Sequence, residues 1–174
     1  MAQESHSDAS TVINIPAEMG MLTHTSTNRS TSYIKIPQSA EIDSSLALYL
    51  EIKNGLIAGD FNAITGKMNT LSTMIKNWVP ELSEDISTLK LLSQTAQTLA
   101  GSTNVTTSRT YFVAFSRLYI DFMKGLDHDD VLFVQFCPMA NEGKGAYWLS
   151  LEQEIKNPYY GAMMLRCGET IERI

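Results

Sequence analysis

Phe61, Ile64, Met68, Leu71, Ile75 and Trp78 recur at spacings of 3, 4, 3, 4 and 3, which places all six on one stripe of a single helix. Ahead of them, Ile42, Leu46, Tyr49, Lys53 and Leu56 keep a similar but interrupted stripe, with Ser39 as the expected N-cap and Gly59-Asp60 as the break into the next helix. Pro80 is expected to end the second helix and Ser83 to cap a third, which turns Ile86, Leu89, Leu92, Ala96 and Leu99 inward and stops at Gly101. A fourth helix is expected from about Asn104 to Gly125, with Val105, Phe112, Phe115, Tyr119 and Phe122 on its inner face. Four amphipathic helices joined by short loops predict a mainly α fold, most simply an up-down four-helix bundle.

Beyond Gly125 the period changes. Val131 to Phe136 is a β-branched and aromatic run of strand length, and Ala146 to Leu149 is a second such run across the turn-rich Asn141 to Gly145. The pair predicts a hairpin within a small C-terminal β-containing cap. Met163 to Arg166 fits either a third short strand or one helical turn. At the other end, residues 1–38 are rich in Ser and Thr and contain an echo, Ile13-Asn14-Ile15-Pro16 and Ile34-Lys35-Ile36-Pro37. This fits either two edge strands paired as a short β-hairpin or an extended surface arm. The expected organisation is therefore an arm, 1–38, followed by a helical bundle with its cap, 39–174.

With 174 residues and 44% hydrophobic content the chain can bury one full core. A net charge of −6 and the lack of any Lys/Arg cluster longer than a pair remove the electrostatic footprint of a nucleic-acid binder. No apolar run approaches the roughly 18 residues that span a bilayer, so no transmembrane segment is expected. The opening MAQESHSDAS has neither the basic nor the apolar region of an export signal. His128 is the only histidine outside the N-terminal arm, and no nucleophile elbow, zinc-protease helix or paired-acid motif accompanies it, so an enzyme is not expected. Asp127-His128-Asp129-Asp130 reads as a solvated linker in preference to a hard-cation site. Glu142-Gly143-Lys144-Gly145 lacks the spacing of a phosphate loop and reads as a turn.

The chain's two cysteines both fall in the C-terminal segment, as do three of its nine methionines, Met139, Met163 and Met164. In an oxidising compartment Cys137 and Cys167 can close a disulfide; in a reducing one they are inert thiols or ligands. Thiolate and thioether are the donors that select Cu(I) or Ag(I) over harder ions, and Cys137-Pro138-Met139 and Met164-Leu165-Arg166-Cys167 together supply up to four sulfurs. Zinc-type Cys-x-x-Cys spacing is absent, and methionines beside aromatics commonly serve as core filler.

The segments CPMANEGKGAYWLS (137–150) and EIKNPYYGAMMLRCGE (154–169) resemble the C-terminal signature of a family of bacterial envelope domains of unknown function. Relatives occur alone or fused to the periplasmic adaptor (membrane-fusion) subunits of copper/silver efflux pumps. The likeness is dense over about 40 residues and extends to the helical part through RTYFVAFS (109–116), but leaves 1–38 uncovered. It places Cys137, Met139, Met164 and Cys167 on the family's Cys-Pro-Met and Met-x-x-Cys-Gly positions, and Gly145, Trp148, Asn157, Pro158, Tyr159 and Gly161 on structural ones. It implies a periplasmic or cell-envelope location, with the signal segment absent from this chain, and a non-enzymatic role in heavy-metal handling alongside components of an efflux system. Cu(I) or Ag(I) is then the expected cargo.

The chain departs from the family pattern in having no histidine between His24 and His128, where relatives carry one in the helical part. This leaves a sulfur-only site or none. Met163 stands where polar residues are usual and has no assigned role. The rival expectation is a protein-interaction module with a structural Cys137–Cys167 disulfide and no metal. Its docking surface would be an aromatic patch of Tyr147, Trp148, Tyr159 and Tyr160, unless those rings are the core of the cap.

Overall fold

The structure, a computed structural model, describes residues 37–79, 87–126 and 128–174. The expectations placed on the arm up to Ile36, and on Pro80, Ser83 and Ile86, lie outside these residues. Four helices are described: α1 (Ser39–Ala58), α2 (Phe61–Trp78), α3 (Ser87–Ala100) and α4 (Val105–Lys124). A small antiparallel sheet follows, built from β1 (Phe133–Cys137), β2 (Ala146–Ser150) and β3 (Glu169–Arg173) in the order β2-β1-β3. The chain is thus mainly α with a C-terminal β cap. None of the described helices is long and apolar enough to cross a membrane.

Both ends of α1 and the starts of α2 and α4 have local causes. The N-cap of α1 is Gln38 and not Ser39, because the Glu41 carboxylate reaches back to accept the Gln38 N–H at 3.1 Å and starts the helix one residue earlier. Gly59, at φ 74°, turns the chain out of α1, and Asp60 caps α2 by accepting the Ala63 N–H at 3.0 Å. Asn104 caps α4 through the Thr107 N–H at 2.9 Å. Of the six-residue stripe on α2, Ile64, Met68, Leu71, Ile75 and Trp78 are buried. Phe61 is only half-buried, since it stands at the first residue of the helix and reaches the core from its edge.

Helices α1 and α4 run antiparallel: Ser45 meets Tyr119, Tyr49 meets Ser116, and the carbonyl of Leu56 meets Arg109. Their shared seam is aromatic, with the Tyr49 and Tyr119 rings stacked at 4.7 Å and Phe112 and Phe115 packed against Tyr49. The sheet docks on the same seam. Leu149 donates its N–H to the Tyr49 hydroxyl at 3.0 Å, and Ser116 donates to the Tyr147 carbonyl at 2.9 Å. Tyr159 donates to that carbonyl as well. These contacts occupy the open edge of β2, where unpaired backbone groups would otherwise be buried or left free to pair with another chain.

β1 is the central strand. It pairs with β2 in the register Cys137↔Ala146 and with β3 in the register Phe136↔Glu169. The third strand therefore lies after Cys167, and Gly161–Met163 forms one 3-10 turn in place of a strand at Met163 to Arg166. β3 is an edge strand carrying Glu169, Glu172 and Arg173 with little burial, so it has no apolar alternation to reveal it.

Candidate functional site

Cys137 ends β1 and Cys167 stands two residues ahead of β3, so the antiparallel register brings the two cysteines to the same end of the sheet. Their sulfurs lie 2.7 Å apart as free thiols. Gly168 makes the approach possible. At φ 138° it has a backbone that side chains disfavour, and a Cβ there would stand 2.8 Å from the Phe136 carbonyl oxygen and 2.9 Å from the Trp148 ring.

Two turns frame the sulfurs. The first runs through Cys137, Pro138 and Met139, and Tyr160 donates its hydroxyl to the Met139 carbonyl at 2.6 Å. The second ends in Met164 to Cys167, where the Cys167 N–H bonds the Met164 carbonyl at 3.0 Å. Asn157, fully buried, holds this second turn from four directions. Its N–H donates to the Leu165 carbonyl at 2.8 Å and its Nδ2 to the Cys167 carbonyl at 2.9 Å. Its Oδ1 accepts from the N–H groups of Tyr159 at 2.8 Å and Tyr160 at 3.3 Å. Such full use of one amide fixes a loop that has no regular backbone ladder of its own.

Arg109 joins the second turn to the helices. Its Nε donates to the Pro158 carbonyl at 3.1 Å and its Nη2 to the Leu56 carbonyl at 2.6 Å, near the end of α1. Gly161, at φ 55°, leaves room for the guanidinium, because a Cβ would sit 2.5 Å from Nη2. Trp148, Asn157, Pro158, Tyr159 and Gly161 thus belong to the scaffold around the sulfurs, and Gly145, at φ 82°, lies against the Phe136 ring.

The sulfur residues differ in access. Cys137 is buried and Cys167 partly exposed, while Met139 and Met164 are 57% and 36% exposed on the two turns. Met163 is 84% exposed, so it does not fill the core. The hydrogen bond with Cys137, and then burial, hold the Cys167 thiol above its ordinary pKa, opposed by a weaker bond to the Met139 backbone. The Cys167 sulfur therefore favours its protonated thiol, and a soft ion must displace that proton to bind there.

The expected aromatic patch is not a free surface. Trp148 and Tyr159 are buried against each other, Tyr159 also against Phe112, and Tyr147 and Tyr160 are half-buried. Among the described residues, no three His, Cys, Asp or Glu side chains gather where a metal ion would fit. His128 turns its Nδ1 to the Asp130 carbonyl at 2.8 Å, within its own loop. Glu142 to Gly145 form a tight turn, closed by Lys144 N–H to Asn141 carbonyl at 3.0 Å.

Lys53 was visible in the sequence only as a gap in an apolar stripe. It is 4% exposed, its Nζ lies 3.4 Å from the Ser150 hydroxyl, and burial lowers its pKa to about 8, partly offset by Glu152. The clamp of Arg109 on Pro158 and Leu56 joins residues about fifty positions apart, so no local spacing could announce it. Compared with family models, curated proteins and solved structures, the chain matches none.

Proposed function

We propose that this chain is a non-enzymatic accessory domain of the cell envelope that accepts a soft monovalent ion, Cu(I) or Ag(I), on Cys137 and Cys167, with Met139 and Met164 assisting. Its helices would form an up-down bundle that carries the site, and its partners would be components of a heavy-metal efflux system. The observation that carries this reading is the convergence of the two sulfurs, 2.7 Å apart, between two turns that expose methionines. Thiolate and thioether donors match these ions, and water competes poorly for them. Two sulfurs that share one ion stand farther apart than 2.7 Å, so uptake requires the turns to part. Deprotonation favours that motion, because two thiolates repel.

The test is a competition titration of reduced protein against a Cu(I) chelator without oxygen. One ion per chain is expected, bound more tightly as pH rises. Replacing both cysteines with Ser should remove most of the binding, and Met139→Leu or Met164→Leu should weaken it in part. Equal chelator displacement by wild type and the double-Ser variant would overturn the reading.

A second reading is favoured by the same short separation. Oxidation would join Cys137 to Cys167, staple the two turns and give an interaction module without metal. Closing this 30-residue span would stabilise the fold by about 3 to 4 kcal/mol on the chain-entropy account. Thiol titration of unfolded, unreduced protein decides the matter: two reactive thiols sustain metal acceptance, and none sustains the staple.

A further inference from the structure

The geometry points to a binding site for a small aromatic carboxylate in a cavity of about 340 Å³ between α4 and the turn after β1, anchored on Arg109 and Asn141. It adjoins the sulfur-bearing turns, sharing Arg109 and Tyr160 with their scaffold, and does not depend on metal.

Donor accounting at Arg109 gives the first support. Nε and Nη2 hold the Pro158 and Leu56 carbonyls, and the backbone of Gly161 closes off the Nη2 edge. Nη1 makes no hydrogen bond among the described residues, yet it is not one of the buried polar atoms cut off from solvent. No described carboxylate pairs with this guanidinium, although the side chain is partly buried. A positive group so placed is normally matched by an anion. Because two carbonyls already fix its orientation, an incoming anion need not order it.

The turn supplies the second donor. Asn141 and Glu142 are consecutive non-glycine residues in left-handed backbone, at φ 52° and 57°, a conformation that costs on the order of 1 kcal/mol or more for residues with a Cβ. That backbone sets Asn141 at the cavity, where its side-chain amide has no partner among the described residues. Glu142 also lines the cavity but does not neutralise Arg109. Its side chain is 87% exposed and lies 3.8 Å from Lys144 Nζ.

The walls select the body of the ligand. Val113, Tyr159 and Tyr160 line the cavity, and both tyrosine hydroxyls are engaged by backbone carbonyls, at Tyr147 and Met139. Neither therefore offers a further donor, and the half-buried Tyr160 offers ring surface beside Val113, while Tyr159 gives only its edge. One guanidinium nitrogen and one amide suit the two oxygens of a carboxylate, whereas a phosphate dianion would require more donors. An aromatic body then packs on the Tyr160 ring and Val113.

The experiment is an amide and side-chain NMR titration of the full chain with benzoate, and with benzamide and acetate as comparisons. Saturable shifts at Arg109, Asn141, Tyr159 and Tyr160 are expected with benzoate. Benzamide and acetate should each bind at least about 10-fold more weakly. Asn141→Gly relieves the backbone while deleting the amide, so it should keep or raise the melting temperature and weaken benzoate about 3-fold or more. Arg109→Gln should abolish the shifts with a dispersed spectrum; if that variant unfolds, Asn141→Gly and the benzamide arm decide. No saturation with benzoate, equal binding of benzamide, or unchanged affinity in Asn141→Gly would each overturn the proposal.

Discussion

The Tyr49 hydroxyl accepts the backbone N–H of Leu149 at 3.0 Å, and that bond sets the direction of the network behind it. The Ser116 hydroxyl donates to the Tyr147 carbonyl, so it must accept from Tyr49, 2.6 Å away. Ser45 likewise donates to the Ile42 carbonyl, which leaves Tyr119 as the donor across their 2.7 Å contact. Every hydroxyl proton in this seam has a determined acceptor. Burial pushes the Tyr49 and Tyr119 phenols well above their ordinary pKa, because an anion there would lose its hydration.

Tyr49→Phe removes the acceptor for a buried strand N–H and the donor to Ser116, and should destabilise by about 1 to 3 kcal/mol in a urea melt. Ser116→Ala disturbs the same chain of bonds. The double variant should therefore cost less than the two single losses combined, with a coupling of about 0.5 kcal/mol or more. Strict additivity would mean that sheet and helices are joined by packing alone.

Met68 and Leu71 are each about 1% exposed at the centre of the α2 stripe. Either residue changed to Ala should destabilise by about 2 to 5 kcal/mol, through lost burial and the cavity left behind. A loss below about 0.5 kcal/mol in a denaturant melt would place the stripe on the surface.

Gly168→Ala is expected to act on stability and on the sulfur pair together. Its Cβ would press on the Phe136 carbonyl and the Trp148 ring, and the backbone next to Cys167 is expected to shift in response. The variant should unfold at lower denaturant and form the Cys137–Cys167 disulfide more slowly under a mild oxidant. Gly66→Ala is the control. It meets nothing within 4 Å in the exposed middle of α2, and should stabilise by about 0.5 to 1 kcal/mol. Unchanged oxidation in Gly168→Ala would show that the approach of the cysteines does not depend on that glycine.

The helices were legible because burial repeats with the helical period: the stripe from Ile64 to Trp78 is a local signal, and Gly59, Asp60 and Asn104 mark boundaries by local bonds. β1 and β2 were legible as apolar runs about a turn. β3 was not, because an edge strand of charged residues carries no apolar alternation. The closeness of Cys137 and Cys167 follows from the register of that unseen strand on β1. Lys53 shows the opposite failure. It holds a core position in the stripe of α1, and sequence periodicity registers the position without the energetic conflict of burying an ammonium group there.

That conflict gives a prediction in pH. The folded pKa of Lys53, about 8, lies below its unfolded value of 10.5, so the unfolded chain binds more protons between the two. Stability should then rise as pH increases through that interval, because the penalty for the buried charge fades as the folded protein loses the proton. The full effect of such a shift is about 3 kcal/mol. Above pH of about 10 the tyrosines oppose it: unfolded phenols ionise there while Tyr49 and Tyr119 stay protonated in the fold, so stability falls again. A maximum between pH of about 8 and 10 is expected in urea melts of the reduced protein. Lys53→Met retains the buried stem and removes the charge, and should be more stable than wild type at neutral pH by about 1 to 3 kcal/mol. Its stability should also lose the rise above pH of about 8, leaving only the high-pH fall. The same rise in Lys53→Met as in wild type would assign the titration to another group.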